Sequence, residues 1–327
     1  MRIYLAPIKG ITDCIYRNTF GRYFKGVDLA VAPFISSVQS RKLKAAYLQD
    51  LLPDRNNNLA LIPQILSNDP DDFLFIAGRI FELGWGEVNW NLGCPTPMVA
   101  NKHRGSGLLP DFDRIRNILD RVMAAYPHQI SIKTRLGRKS PFELEKLLPI
   151  LNQYPLRKII IHPRLGVQMY SGATDLHAFR RCLFLTKHKL VYNGDIIDQY
   201  SFDDLRIRLP EIDTWMIGRG LLANPFLAAG IMGQGNPPLK RGMDRDILYN
   251  FHCDLFEQYQ ACLCGPSHLL GRMKGIWGYL AAIFENSAKI RKKINKIKRV
   301  EHYTETVKMF FETEPLVYTI PINKTHS

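Results

Sequence analysis

The stretch "LAPIKGITD", Leu5–Asp13, follows the first apolar run of the chain and decides between two architectures. In an open, doubly wound sheet that binds a dinucleotide, the first strand leads into a G-x-G-x-x-G turn, whose glycines bring the backbone close to a pyrophosphate. Leu5–Asp13 has a single glycine, Gly10, and a proline at position 7, so it does not fit that turn. The run before it, "RIYLAP", is the first of eight that read as short strands. The others are "VDLAVAP", "LALIPQI", "GEVNWNLG", "QISIKTRLG", "KIIIHPR", "KLVYNGDI" and "TWMIGRG". Between most of them lie segments of helical length, such as "DPDDFLFIAGRIFELG" and "DFDRIRNILDRVMAAY". In the first of these Asp69 suits the helix cap, Pro70 the first helical position and Gly84 the close. Strands apolar on both faces and alternating with helices predict a parallel sheet covered by helices. Eight such units over about 220 residues fit a closed (β/α)8 TIM barrel.

Near Asn236 the texture changes. "MGQGNPPLKRGMDRD" is a Gly/Pro-rich junction. Beyond it "ILYNFHCDLFEQYQACL" and "HLLGRMKGIWGYLAAIF" read as helices, and "SAKIRKKINKIKRV" repeats Ile290, Ile294 and Ile297 at helical spacing. The expected organisation is a barrel over 1–238, a small all-helical domain over 239–315 and an irregular tail over 316–327.

At 327 residues, 46% hydrophobic and 23% charged, the composition is that of an ordinary globular protein. No apolar run is long enough for a bilayer, and "MRIYLAPIKG" lacks the core and cleavage site of a signal peptide. The expectation is a cytoplasmic protein with no membrane partner, and a monomer by default. The six cysteines, Cys14, Cys94, Cys182, Cys253, Cys262 and Cys264, are scattered as reduced thiols would be. Cys253, Cys262 and Cys264 with His252 match no zinc spacing, so no metal is expected. The formal charge of +14 implies attraction to polyanions. It is concentrated in "SAKIRKKINKIKRV", which holds seven Lys or Arg and no acid. Such a face suits phosphate contacts.

Polar residues and glycines collect at the C-terminal ends of the expected strands. Pro7 and Ile8, Gln64, Asn91, Lys133 and Arg135, His162 and Arg164, Asn193–Asp195 and Gly218–Gly220 all hold that position. In a barrel these ends meet at one mouth, where the active site lies. "NGDI" and "IGRG" follow the last two strands, the usual place for a phosphate held by backbone N–H groups, with Gly194 and Gly218 allowing close approach and Arg219 adding charge. No P-loop is present, which argues against nucleotide triphosphate hydrolysis. Lys133, mid-mouth, suits either a Schiff base or an anionic ring. Gln64 and His162 suit the edge of a flat heterocycle. Flavin mononucleotide (FMN) fits all of these positions, with a cation near its N1 favouring the reduced anion. Cys94, in "NLGCPTP", is open to four readings: metal ligand, nucleophile, proton donor or spectator. An ordinary thiol, with a pKa of about 8.5, is mostly protonated near pH 7 and serves as an acid without tuning.

These residues resemble the FMN-dependent tRNA-dihydrouridine synthases over most of the chain. "LAPIKGITD" is similar to that family's opening "APM.G.TD", and "NLGCP....V......GSGLL" to its cysteine loop. "IKTRLG", "IIIHPR", "NGDI" and "MIGRGLLANPF" follow in the family's order. "HLLGRMKGIW", with Arg272 and Lys274, is similar to the basic helix of its RNA-binding domain, and most like that of the bacterial C-type branch, which acts on position 16 of the D-loop. The resemblance implies that Cys94 donates a proton to C5 of uridine while hydride reaches C6 from reduced FMN. It further implies that Asn91, Lys133, Arg135 and His162 surround flavin and uracil, with Pro7, Ile8, Lys9, Gln64, Asn193, Gly194, Asp195, Gly218 and Arg219 about the cofactor. Arg164, Arg272 and Lys274 are expected on the RNA side. NADPH or NADH as reductant rests on the resemblance alone. Ile8 stands for Met at a contact expected through the backbone, and two further departures bear on substrate choice: Pro163 for Gly, and Ala32–Ser36 "APFIS" where the family has "TEM". A reductase of a small pyrimidine or enone, or a synthase acting on rRNA, are the alternatives.

Overall fold

Side chains of a strand alternate between two faces, and here the two faces form two separate cores. Tyr4, Val31, Ile62, Ile160, Val191 and Met216 pack on one another on the inner face. Their strand neighbours Ile3, Leu5, Trp90, Ile132, Ile161 and Trp215 join the larger core under the helices. The computed structural model that separates them describes residues 1–36, 45–233 and 241–317.

The strands are β1 (Arg2–Leu5), β2 (Leu29–Val31), β3 (Ile35–Ser36), β4 (Ala60–Ile62), β5 (Gln64–Leu66), β6 (Val88–Leu92), β7 (Ile130–Gly137), β8 (Ile159–Leu165), β9 (Leu190–Asn193) and β10 (Thr214–Ile217). Every pairing is parallel. β10 pairs with β1, β1 with β2, β2 with β4, and β3 with β5, so the ring closes as the TIM barrel expected from the sequence. Ten strands make eight staves because a proline interrupts two of the staves, the first of them running on past the expected "VDLAVAP" to Ser36. Pro33 parts β2 from β3 and Pro63 parts β4 from β5, since proline offers no N–H to a ladder. Pro163 stays within β8, but the β7–β8 register shifts beside it, between Arg135 and Gly137.

The crossover helices are α1 (Cys14–Tyr23), α2 (Pro70–Glu82), α3 (Phe112–Ala125), α4 (Phe142–Leu151), α5 (Leu176–Leu185) and α6 (Gln199–Arg208). Asp69 caps α2 by accepting from the Asp72 N–H at 2.9 Å, Pro70 opens it, and Gly84 follows at φ 91°. After β10 comes the short α7 (Arg219–Ala223).

The C-terminal helical region comprises α8 (Arg241–Cys262), α9 (Pro266–Leu280), α10 (Ser287–Lys296) and α11 (Val300–Thr313). The basic helix α10 is shorter than its Ile periodicity suggests. It stops before Ile297, which stays buried with extended backbone, and Lys274 Nζ binds the Ile297 carbonyl at 2.5 Å. A cation on the last carbonyl satisfies an acceptor that the helix leaves open. The Gly/Pro junction at 234–240 and the tail beyond 317 lie outside the described residues. No helix among the described residues is long and apolar enough to cross a membrane.

Candidate active site

Strand register assembles the site. Asn91 lies beside Lys133, and Arg135 beside His162, in neighbouring ladders. Lys133 and Arg135 are two residues apart on β7 and therefore share the inner face. Below them that face carries a chain of buried amides. Gln64 Nε2 donates to Asn89 Oδ1 at 2.7 Å, and Asn89 Nδ2 donates to Ser131 Oγ at 2.9 Å. Gln64 Oε1 accepts from Asn91 Nδ2 at 2.9 Å, which turns Asn91 Oδ1 toward the cysteine loop. That oxygen accepts the backbone N–H of Gly93 at 3.1 Å and of Cys94 at 2.9 Å. On the other side the Cys94 carbonyl accepts from the Ser106 N–H at 3.0 Å and its hydroxyl at 3.1 Å. Gly105, at φ 56°, makes this clasp possible, because a Cβ there would stand 2.6 Å from the Cys94 carbonyl oxygen. The half-buried Cys94 Sγ lies 3.4 Å from the Thr96 hydroxyl.

The thiol faces a cavity of about 850 Å³. Of the residues singled out in the sequence, Pro7, Ile8, Lys9, Gln64, Asn91 and Cys94 line it from the first half of the barrel. Lys133, Arg135, His162, Asn193, Gly194, Asp195, Gly218 and Arg219 line it from the second. Arg164 stands behind the lining. Its Nη1 is 3.0 Å from His162 Nε2, and its Nη2 is 2.7 Å from Asp195 Oδ2 and 2.6 Å from the Gly172 carbonyl. Arg272 and Lys274 are outside the cavity: Arg272 pairs with Asp13 at 3.2 Å and Lys274 holds the Ile297 carbonyl.

Charge in the cavity is shaped by dehydration. Burial pushes the half-buried Lys133 ammonium down to about 7, and Arg135 lowers it further, while Cys94 acts the other way. Burial likewise brings Arg135 down to about 10. His162 is driven well below its ordinary value, by burial first and then by Arg135 and Lys133, so its ring is neutral near pH 7. A guanidinium can only donate, so Arg164 makes Nε2 an acceptor and leaves the proton on Nδ1.

Several lining residues carry little or no sequence signal of a site, Tyr170, Thr96, Tyr279, Lys102 and Arg104 among them, and Phe34 is marked only as part of "APFIS". Tyr170, half exposed in the loop after β8, has Arg135 Cζ 5.4 Å and Arg219 Cζ 5.1 Å from its ring centre. It sits in an aperiodic stretch, "GVQMYSGATD", with nothing in sequence to mark it. Phe34 lies 5.0 Å below Lys9 Nζ. Thr96 flanks the thiol, and Tyr279 reaches the cavity from α9. The spacing of Tyr279 seven residues after Arg272 is its one available signal. In the helical region His252 is buried against the Tyr303 hydroxyl at 2.7 Å. Among the described residues no group of three or more His, Cys, Asp or Glu is arranged to hold a metal ion.

The barrel is similar to that of the old yellow enzyme from Trypanosoma cruzi, with a TM-score of 0.53 at 10% identity over 74% of this chain and 90% of that one. At that identity the likeness concerns the fold. Sequence relatives reach further. A tRNA-dihydrouridine(16) synthase of Pseudomonas putida is 30% identical over 285 residues, covering 84% of this chain and 86% of its own. A probable tRNA-dihydrouridine synthase of Rickettsia bellii is 25% identical over 93% of this chain and 95% of its own. The family model described as dihydrouridine synthase matches residues 4–314, a span that holds the cysteine loop, the cationic strand β7 and the helical region together. By that match the chain belongs to the dihydrouridine synthase family.

Proposed function

We propose that the cavity binds FMN and that the chain uses it to reduce the C5–C6 double bond of a uridine in the tRNA D-loop, at position 16 as in the name of the P. putida relative. The supporting observation is one constellation: Cys94 clasped at the mouth of a cavity floored by Lys133, Arg135 and His162. The residues suit the cofactor. Among the described residues Lys9, Lys102, Arg104, Lys133, Arg135 and Arg219 line the cavity against one carboxylate, Asp195, which favours a ligand bearing phosphate. A volume of about 850 Å³ admits a ligand of that size together with a flipped base.

When bound and reduced, the flavin supplies hydride, with NADPH or NADH as the proposed source of electrons. The remaining work falls to the chain. Cys94 gives its Sγ proton to C5 as hydride arrives at C6, so the uracil gains one proton and one hydride and carries no net charge afterwards. The thiolate left behind is attracted by Lys133 and Arg135. Asn91 and Ser106 hold the backbone on both sides of the sulfur, which limits the thiol to χ1 rotation. Neutral His162 offers Nδ1–H as a donor without adding charge.

The helical region over 239–315 is proposed as the tRNA-gripping domain. Lys289, Lys292, Lys293, Lys296, Lys298 and Arg299 are exposed there on and beside α10. A reductase of small molecules would have no use for that face, which favours the RNA reading. Mass spectrometry of tRNA from a strain lacking the gene tests it. Loss of dihydrouridine at one D-loop position is expected. Unchanged dihydrouridine at every position, with no second synthase present, would contradict it.

A further inference from the structure

Helix α9 lies across the first barrel loop. Residues 272, 275 and 279 fall on one helical face. Arg272 Nη1 is 3.2 Å from Asp13 Oδ2, and the same guanidinium donates to the Gly10 carbonyl. It also lies over the Tyr259 ring, 5.2 Å from its centre, and the Tyr259 hydroxyl donates to Asp13 Oδ1 at 2.7 Å. At Gly275 an added Cβ would come within 3.1 Å of Ile11 Cδ1, so the helix rests on the loop because that side chain is missing. One turn on, Tyr279 forms part of the cavity wall.

The loop so covered carries Pro7, Ile8 and Lys9 into the cavity. Its own bonds are local: Ile8 N–H to Thr12 Oγ1 at 2.9 Å, Ile11 N–H and Thr12 N–H to the Ile8 carbonyl at 3.0 Å. From the barrel side, Arg17 Nη1 holds the Thr12 carbonyl at 2.7 Å. From the helical side the hold runs through Asp13, which also caps α1 by accepting from the Tyr16 N–H at 3.1 Å. Loss of the cation facing a mostly buried carboxylate leaves that charge uncompensated and frees the loop's outer edge.

We propose that Arg272 is a positioning residue. Acting with Tyr259 through Asp13 and the Gly10 carbonyl, it fixes the Pro7–Lys9 segment, so the helical region completes the cofactor cavity as well as presenting a polyanion-binding face. Only the cofactor part of this inference rests on the proposed FMN function.

Hydrogen–deuterium exchange of the full-length chain without ligand tests the positioning directly. Arg272→Ala is expected to speed exchange of the Ile8–Asp13 amides at least about tenfold, the scale of a lost hydrogen bond to a charged group, with α8 and α9 protection retained. Asp13→Asn keeps a cap acceptor but removes the charge, and is expected to do the same. Arg272→Lys keeps the charge with fewer donors and falls between. As a second readout, Arg272→Ala weakens FMN binding about fivefold or more, whereas Lys308→Ala, on the exposed face of α11, leaves it unchanged. Exchange at wild-type rates in both Arg272→Ala and Asp13→Asn would overturn the inference, as would weakened tRNA binding with an unaltered loop. A wild-type chain that takes up no flavin counts against the proposed function alone, because the exchange is read without ligand.

Discussion

Cys94 is held by its neighbours' backbone and amides, with the Thr96 hydroxyl 3.4 Å from its sulfur. Asn91 Oδ1 takes two loop N–H groups and Ser106 takes the carbonyl. Gly105→Ala would drive a Cβ into the Cys94 carbonyl at a left-handed φ of 56°. It is expected to lower turnover about tenfold or more while FMN still binds, because displacement of a reacting group is costly to rate. A steady-state assay beside a flavin titration reads this. Lys133 carries the pH dependence. Its folded pKa, about 7, is depressed from the ordinary lysine value of 10.5. The ligand-free protein therefore gains stability from this residue as pH rises between those values and loses it again as pH falls toward 7. An anionic ligand reverses the shift, so FMN binding takes up a proton and weakens as pH rises above about 7. Titrations across pH 6.5–9 check the sign. Lys133 and Cys94 were legible in sequence because strand ends are marked by the apolar runs before them. Tyr170 was not, because its place depends on how an aperiodic loop folds back over Arg135 and Arg219.

At the scale of the elements, apolar runs located the staves, the length between them located the crossovers, and a cap at Asp69 fixed the start of one helix. What the runs could not register was interruption. Pro33 and Pro63 each cut a stave, and the cut follows from the missing ladder donor, a local fact that a run of apolar residues conceals. The end of α10 was hidden for the opposite reason. Ile297 keeps the helical spacing and is buried, yet the chain has already turned, held by Lys274 from a different helix. The exposed cations of α10 give a graded test. Reversing Lys289, Lys292 and Lys296 to Glu together is expected to weaken tRNA binding at least tenfold at about 0.1 M salt and to flatten its salt dependence, with FMN affinity unchanged. Filter binding over a salt series measures both. An unaltered salt slope would place the RNA on another surface.

The whole molecule joins two regions that sequence reading treated as separate. The barrel was legible because its signal repeats eight times, and the helical region because its composition differs. Their contact was not legible. Arg272 reaches Gly10 across 262 residues of chain, and no local pattern announces such a pairing. The outcome is one cavity walled by both regions, with Tyr279 and Ile8 in the same lining. The most direct measurement is reconstitution. The full-length chain, loaded with FMN and supplied with NADPH, is incubated with an unmodified tRNA transcript, which is then digested and weighed by mass spectrometry. The expected result is a gain of two hydrogens on one D-loop uridine, with Cys94→Ala slower by about a hundredfold or more although its flavin is retained. A wild-type chain that binds FMN and tRNA and yields no dihydrouridine would contradict the reading, and so would Cys94→Ala working at the wild-type rate.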